Sequence, residues 1–223
     1  ANGRVPVLVH AGGLRTETAV ELAHHAAEIG ADAMAAVTPI FYGIHEDALA
    51  DYFEAIAGAA PQVPFFAYDI PHMAVNGVSP DLARRLFEKL PSLAGMKCSN
   101  QDAQAIRRLL DVIPEGRILL AGNESIAMGS LGLGAEGMIS GLATAVPEPL
   151  VAMIDAFFAG DLLEARRQQR LINRLLGVIP AGGRIGAIKA ILEARGVPVG
   201  PPMLPLPEVS PDIWTEMVEI LEA

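Results

Sequence analysis

Six short apolar runs, each followed by an amphipathic stretch of helical period, organise the first 160 residues of this chain. The runs are residues 5–9, 33–37, 63–68, 93–97, 117–121 and 137–140, and the stretches that follow them are 16–29, 46–59, 80–90, 102–112, 125–133 and 147–159. Strands buried on both faces read as short, continuously apolar runs. Strict alternation of strand and helix therefore predicts a parallel sheet with right-handed crossovers. Local signals agree: Thr16-Glu17 stands at the start of the first helix, and Ser79-Pro80 puts a cap before a proline at the first helical position. Gly30 sits where a helix ends.

After Gly160 the alternation stops. Residues 161–176, 186–194 and 212–221 read as helices, and residues 197–211, with six prolines, read as an extended surface segment. The chain divides on this reading into a β/α region, 1–160, and a C-terminal helical region, 161–223. Six β/α units suit an open doubly wound sheet, whereas a closed barrel calls for eight. No Gly-x-Gly-x-x-Gly follows the first strand and no Gly-x-x-x-x-Gly-Lys loop is present. Gly129, Gly132, Gly134 and Gly137 are spread over a helix end and its loop, so the nucleotide-binding version of the open sheet has little support.

Composition narrows the function. Sixteen basic against 26 acidic residues leave a net charge of −10, which weighs against nucleic acid or an anionic membrane as partner, since both need a basic face. Mean hydropathy is high, at +0.37, yet no apolar run approaches the roughly 18–20 residues of a spanning helix. No signal peptide is visible in Ala1-Asn2-Gly3-Arg4. With one cysteine, Cys98, an internal disulfide is excluded. No His-x-x-x-His, Asp-x-Asp or Cys-x-x-Cys spacing occurs, and a metal site is not expected. These features predict a cytoplasmic protein, and the hydrophobic fraction of 52% suits an oligomer.

Of the three lysines, Lys89 lies in the last turn of a helix and Lys189 on a helix surface, where solvated roles are expected. Lys97 ends the run Leu93-Ala94-Gly95-Met96-Lys97, at the C-terminal mouth of a strand, where parallel α/β proteins carry their active sites. A lysine facing an apolar interior has its amine free at lower pH and attacks ketones. A lysine snorkelling to a strand end is the alternative, and position alone leaves both open. Tyr68 ends the preceding strand in Phe65-Phe66-Ala67-Tyr68-Asp69-Ile70-Pro71. Neighbouring parallel strands would set Tyr68 beside Lys97, with the phenol relaying protons; a tyrosine packed at the rim is the alternative. By strand alternation Cys98 should face away from Lys97. His10, His45 and His72 are scattered on loops or strand ends, and within the helical pair His24-His25 only one ring can face the core.

Several segments together resemble one family: Gly3-Arg4-Val5-Pro6-Val7, Glu28-Ile29-Gly30-Ala31-Asp32-Ala33, Val37-Thr38-Pro39-Ile40-Phe41-Tyr42, Tyr68-Asp69-Ile70-Pro71, Gly95-Met96-Lys97, Gly122-Asn123-Glu124 and Gly134-Ala135-Glu136-Gly137-Met138-Ile139-Ser140. Ala159-Gly160-Asp161 and Ile188-Lys189-Ala190 continue the match. Their order and spacing are those of the dihydrodipicolinate synthase / N-acetylneuraminate lyase family of Schiff-base-forming class I pyruvate-dependent aldolases. The resemblance implies an α/β fold, a (β/α)8 TIM barrel of which about six units are present, plus C-terminal helices. It implies that Lys97 forms the imine and that Tyr68 relays protons. It places Gly122 and Ile139 near the bound keto acid and Asn123-Glu124-Ser125 against the polyhydroxyl or aldehyde part of the substrate.

Three departures stand out against the family pattern. Members open with two further β/α units, which include a threonine-bearing loop for the keto-acid carboxylate. The expectation is that about 75 residues, at roughly 30–40 per unit, precede the present start. Lysine-pathway synthases carry an arginine two residues after the Tyr-x-x-Pro proline, where this chain has His72 and Met73 after Pro71. Without that guanidinium a second carboxylate would be poorly held. Where those synthases extend a tyrosine into the neighbouring subunit's relay, this chain has Phe41 with Tyr42 beside it, so the relay is either rebuilt by Tyr42 or absent.

The leading expectation is a carbon–carbon lyase that cleaves or forms a 2-keto-3-deoxy sugar acid, with pyruvate held as an imine on Lys97. Its partners would be a small 2-keto acid and an aldehyde, with no cofactor, no metal, no nucleic acid and no membrane. The family resemblance implies a homotetramer built as a dimer of dimers. A dehydratase using the same imine, dihydrodipicolinate synthase-like or acting on a keto-deoxy sugar acid, is the alternative. A non-catalytic member is the reading from a different class, and retention of both Lys97 and Tyr68 speaks against it.

Overall fold

The computed structural model describes all 223 residues. Its strands are β1 (Leu8–His10), β2 (Ala33–Val37), β3 (Phe65–Asp69), β4 (Leu93–Cys98), β5 (Ile118–Ala121) and β6 (Gly137–Met138). They form one parallel sheet in the order β1-β2-β3-β4-β5-β6. That order decides between the two architectures open at the sequence level. A doubly wound sheet reverses direction at a switch point, whereas right-handed crossovers between strands laid down strictly in sequence put every helix on one face, as in a barrel.

The helices are α1 (Thr16–Glu28), α2 (Glu46–Ala59), α3 (Pro71–Ala74), α4 (Pro80–Lys89), α5 (Ala103–Leu110), α6 (Ala127–Leu133), α7 (Glu148–Phe158), α8 (Leu162–Gly177), α9 (Arg184–Ala194) and α10 (Asp212–Glu222). Their ends follow local chemistry. The Ser79 hydroxyl accepts from the Leu82 N–H, and Pro80 opens α4. Asp102 and Asp161, expected inside helices, are instead caps, accepting from the Gln104 and Glu164 N–H groups at 2.9 and 3.0 Å. Thr16 does not cap: the N-cap of α1 is Arg15, with no side-chain bond. Gly30, at φ +69°, closes α1. Its N–H bonds the Ala27 carbonyl while that of Ala31 bonds Ala26, a paired C-terminal closure that needs the left-handed conformation glycine adopts freely.

The first and last strands are shorter than the apolar runs predict. Residues 5–7 stay out of the sheet because Pro6 has no N–H and the Val7 N–H is taken by the Asp32 carboxylate at 2.7 Å. The last run stops at Met138, since the residues after Ile139 turn toward the Glu124 carboxylate. Residues 125–133, expected as one helix, open as a 3-10 turn at Glu124–Ile126 before α6. The four-residue helix α3 was not signalled by periodicity.

By contacts the chain resolves into two compact units, residues 1–123 with 132–138 and residues 124–131 with 139–223. In the first, the helix-facing side of β2 to β5 is buried: Phe65 packs on Phe53 of α2, ring centres 6.0 Å apart, and Met34, Leu93, Met96 and Leu119 are closed to solvent. Burying each such side chain contributes about 1.5–3 kcal/mol. In the second, α7 and α8 pack together. Arg195 reaches the Glu148 carboxylate, at 2.5 Å, and lies over the Trp214 ring.

Candidate active site

Strand alternation divides β3 and β4 into two sets of side chains. Phe65, Ala67 and Asp69 face the helices, and Tyr68 faces the opposite side of the sheet with Lys97. Tyr68 and Lys97 are paired in register, flanked by Val37 on one side and Leu120 on the other. The Lys97 ammonium lies 3.8 Å from the centre of the Tyr68 ring, within the range of a cation–π contact. Both residues are half-buried.

Two further residues complete the cluster. Ser99, which is buried, donates from Oγ to the Tyr68 hydroxyl at 3.4 Å. Gly122 lies against both: a Cβ built there would fall 1.9 Å from Ser99 Oγ and 3.1 Å from Lys97 Cε. The absence of a side chain at Gly122 is what lets Ser99 and Lys97 approach, and its N–H is held by the Cys98 carbonyl at 2.8 Å. His10, at the end of β1, accepts the Val37 N–H on Nε2 at 3.1 Å, so in this geometry the other ring nitrogen carries the proton. Its pKa is lowered, first by the protein around the ring and then by the nearby Lys97 ammonium.

Behind this cluster, on the helix side, Cys98 faces away from Lys97 as alternation predicts and points its thiol at Asp69 Oδ2, 3.5 Å away. Burial, and then the Asp69 charge, push the Cys98 thiol up to about 12. Burial also raises the pKa of Asp69, against the opposing pull of the Val78 N–H, Cys98, Asn100 and His72.

The other expected site residues divide. Phe41 and Tyr42 are 74% and 73% exposed and meet edge to face, 4.9 Å between centres, with Phe41 at φ +84°. Asn76 holds that loop: its amide donates to the Pro39 and Tyr42 carbonyls, both at 2.7 Å, and its Oδ1 accepts the Ile44 N–H. Asn123, half-buried, follows Gly122. Glu124 and Ile139 belong to the second unit. There Glu124 is buried, and its Oε1 accepts from Ser140 Oγ, the Gly141 and Leu142 N–H groups and the Arg184 guanidinium, the last at 2.5 Å. It locks the turn that follows β6. Lys189, on α9, donates to the Val199 carbonyl at 2.9 Å and tethers the proline-rich segment, while Lys89 is paired with Glu54. No group of three or more His, Cys, Asp or Glu side chains is placed to hold a metal ion.

The model of the dihydrodipicolinate synthetase family matches residues 1–223. The chain belongs to the dihydrodipicolinate synthetase family. An uncharacterised DapA-like lyase of Halobacterium salinarum is 33% identical over 204 residues, covering 92% of this chain and 66% of the relative. The N-acetylneuraminate lyase of Rattus norvegicus is 35% identical over 205 residues, covering 90% of this chain and 64% of the relative. The chain thus spans about two thirds of the length of these curated relatives. Among solved structures, a catalytic lysine mutant of Ruminococcus gnavus sialic acid aldolase superposes with a TM-score of 0.93 at 32% identity, covering 99% of this chain and 74% of that one. The resemblance drawn from the Tyr68 and Lys97 motifs is borne out, and so is the β/α-barrel fold class.

In this family member Ser99 is the neighbour that sequence reasoning missed. Ser99 was reachable in principle: alternation puts it on the same side as Lys97, two residues on. The bond from the Val37 N–H to His10 carried no such signal, because it depends on how β1 is placed against β2. Arg184 was likewise invisible, since it meets Glu124 across 60 residues of chain.

Proposed function

We propose that this protein is a Schiff-base-forming lyase that cleaves or forms a 2-keto-3-deoxy sugar acid, with Lys97 as the nucleophile and Tyr68 as the proton relay. The observation that carries the reading is the Lys97 amine set over the Tyr68 ring while the phenol is hydrogen-bonded to Ser99. A primary amine beside a phenol supplies both things imine chemistry needs, a nucleophile and a group that moves protons. The relatives named as lyases, and the sialic acid aldolase named for a catalytic lysine, support the same class.

The chemistry then runs on this chain's own groups. The Lys97 amine adds to the ketone carbon, and the carbinolamine loses water to give an iminium. The C3–C4 bond breaks with its electrons drawn into the iminium, leaving an enamine. The C4 hydroxyl gives up its proton and departs as an aldehyde. Tyr68 carries that proton, and C3 of the enamine is reprotonated before water releases pyruvate from Lys97. The nitrogen is itself the electron sink, so the reaction calls for no cofactor. Gly122, by having no side chain, leaves room at the amine. Asn123 is assigned to the substrate side of the same reading.

On the same reading the partners are a 2-keto acid and an aldehyde, and we take the protein to be a cytoplasmic homotetramer. Support for assembly comes from Phe41, Tyr42, Met73 and Val75, apolar and 60–74% exposed. His72 and Met73, in place of a guanidinium, argue for a sugar-acid substrate over the synthase reaction.

The test is to incubate the purified protein with pyruvate and sodium borohydride and to map the reduced adduct by mass spectrometry. The expected result is one pyruvyl adduct, on Lys97 and lost in Lys97→Ala. A folded protein that acquires no adduct would overturn the reading.

A further inference from the structure

We propose that Asp69 is a positioning residue: its buried carboxyl, clamped to the Cys98 thiol behind the Tyr68–Lys97 pair, sets the placement of Lys97 and Ser99 on the other side of the sheet. Asp69 and Cys98 are Cα partners in the register step after Tyr68 and Lys97. Each therefore follows one of the two reactive residues and projects through the opposite face.

The clamp is complete. Asp69 Oδ1 accepts the Val78 N–H at 2.8 Å, Oδ2 lies 3.5 Å from the Cys98 thiol, and the Asn100 side chain adds a third bond. Asp69 is 2% exposed. A carboxyl so placed is costly to bury without partners, and two apolar side chains would fill the space at less cost. The same two residues act through their main chains as well. The Asp69 carbonyl accepts the Ser99 N–H and the Cys98 carbonyl accepts the Gly122 N–H, both at 2.8 Å. Ser99 and Gly122 are the residues that contact the Tyr68 hydroxyl and crowd the Lys97 stem on the front face. Through Val78 the carboxyl also ties down the segment leading into α4, which includes Asn76. Side chains meeting behind the sheet thus fix the two strand ends on which the front cluster stands.

The consequence for catalysis rests on the imine reading, but the placement of Lys97 does not, and the experiment separates them. The chain has three lysines, so Lys89 and Lys189 serve as internal standards. Trace acetylation of the folded protein, read by peptide mass spectrometry, gives the rate at Lys97 relative to the other two. Asp69→Ala should raise that ratio about threefold or more, as local opening at the strand ends exposes the amine. Asp69→Asn, which keeps an oxygen for the Val78 N–H, should stay close to wild type. Pyruvate trapping at Lys97 should fall at least about tenfold in Asp69→Ala, since small misplacements of a reacting group carry large rate penalties.

A residue that only held the fold together would lower the melting temperature and leave the labelling ratio unchanged well below it. That result in a folded Asp69→Ala variant overturns the proposal. If Asp69→Ala does not fold, Cys98→Ala, which removes only the thiol from the clamp, decides: a shifted ratio supports the proposal and an unchanged one overturns it. A wild type that forms no pyruvate adduct while the variants shift the ratio would sink the imine reading and leave the positioning role standing.

Discussion

The amine of Lys97 sits 3.8 Å from the centre of the Tyr68 ring, on the adjacent strand and at the same register step. The ring lies under the Lys97 nitrogen, and the hydroxyl at its far end is hydrogen-bonded to Ser99. The ring contact and the hydroxyl hydrogen bond are thus made by different parts of one side chain, and a substitution can separate them.

Tyr68→Phe keeps the ring and removes the hydroxyl. The melting temperature should change little, while the rate of borohydride-trapped adduct formation at Lys97 falls by about 10²-fold or more, the usual weight of a positioned proton-transfer group. Quenched time courses of adduct mass measure it, and an unchanged rate would remove Tyr68 from the relay.

Gly122→Ala puts a methyl group 1.9 Å from Ser99 Oγ. Such overpacking costs about 1–3 kcal/mol, read as a drop in the denaturation midpoint. Adding Ser99→Ala should restore part of the loss, because the closest contact is with the hydroxyl. A double variant no better than Gly122→Ala alone would show that the strain lies elsewhere.

Arg184→Ala leaves the buried Glu124 carboxylate with its Ser140, Gly141 and Leu142 donors but no cation. A hydrogen bond to a charged group contributes about 1.5–3 kcal/mol, and because Arg184 is part-exposed the lower end is expected. Arg184→Ala with Glu124→Gln should be more stable than Arg184→Ala alone, as a double-mutant cycle in urea would reveal.

Burial of Asp69 gives stability a pH dependence whose sign follows from the raised pKa. Its folded-state pKa is raised above the ordinary value of 3.8, so the folded protein holds this proton more tightly than the unfolded chain does. That advantage is complete below the unfolded pKa and is lost as pH rises through the folded one. The groups facing the carboxyl are the Val78 N–H, Cys98, Asn100 and His72, with Arg108 lining the same crevice. Asp69→Asn lacks the titration. Relative to it, wild type should lose melting temperature as pH rises from about 4 toward neutrality; parallel curves would contradict the assignment.

Phe41 combines a left-handed backbone with a 74% exposed ring. A non-glycine residue held there carries on the order of 1 kcal/mol of strain or more. Phe41→Gly should relieve it and stabilise the isolated chain while weakening self-association, read by sedimentation velocity over a concentration series. Unchanged association would take this loop out of the interface.

Much of this architecture was legible in the residues themselves. Continuous apolar runs, the Ser79-Pro80 cap and the Gly30 stop are local features, set by backbone conformation and by hydrogen bonds a few residues apart. The boundaries of α2 and β2 follow from them without correction. The pairing of Tyr68 with Lys97 was legible too, because neighbouring parallel strands bring their C-terminal residues together, and the outward turn of Cys98 follows from a period of two. Tertiary structure decided the rest. Whether six strands wind in sequence or reverse depends on which face each crossover takes. The bond between His10 and Val37, the Arg184–Glu124 lock and the closure of Ser99 on Gly122 depend on side chains from distant segments meeting in space. Periodicity reports which face a residue occupies, and only packing decides what it meets there.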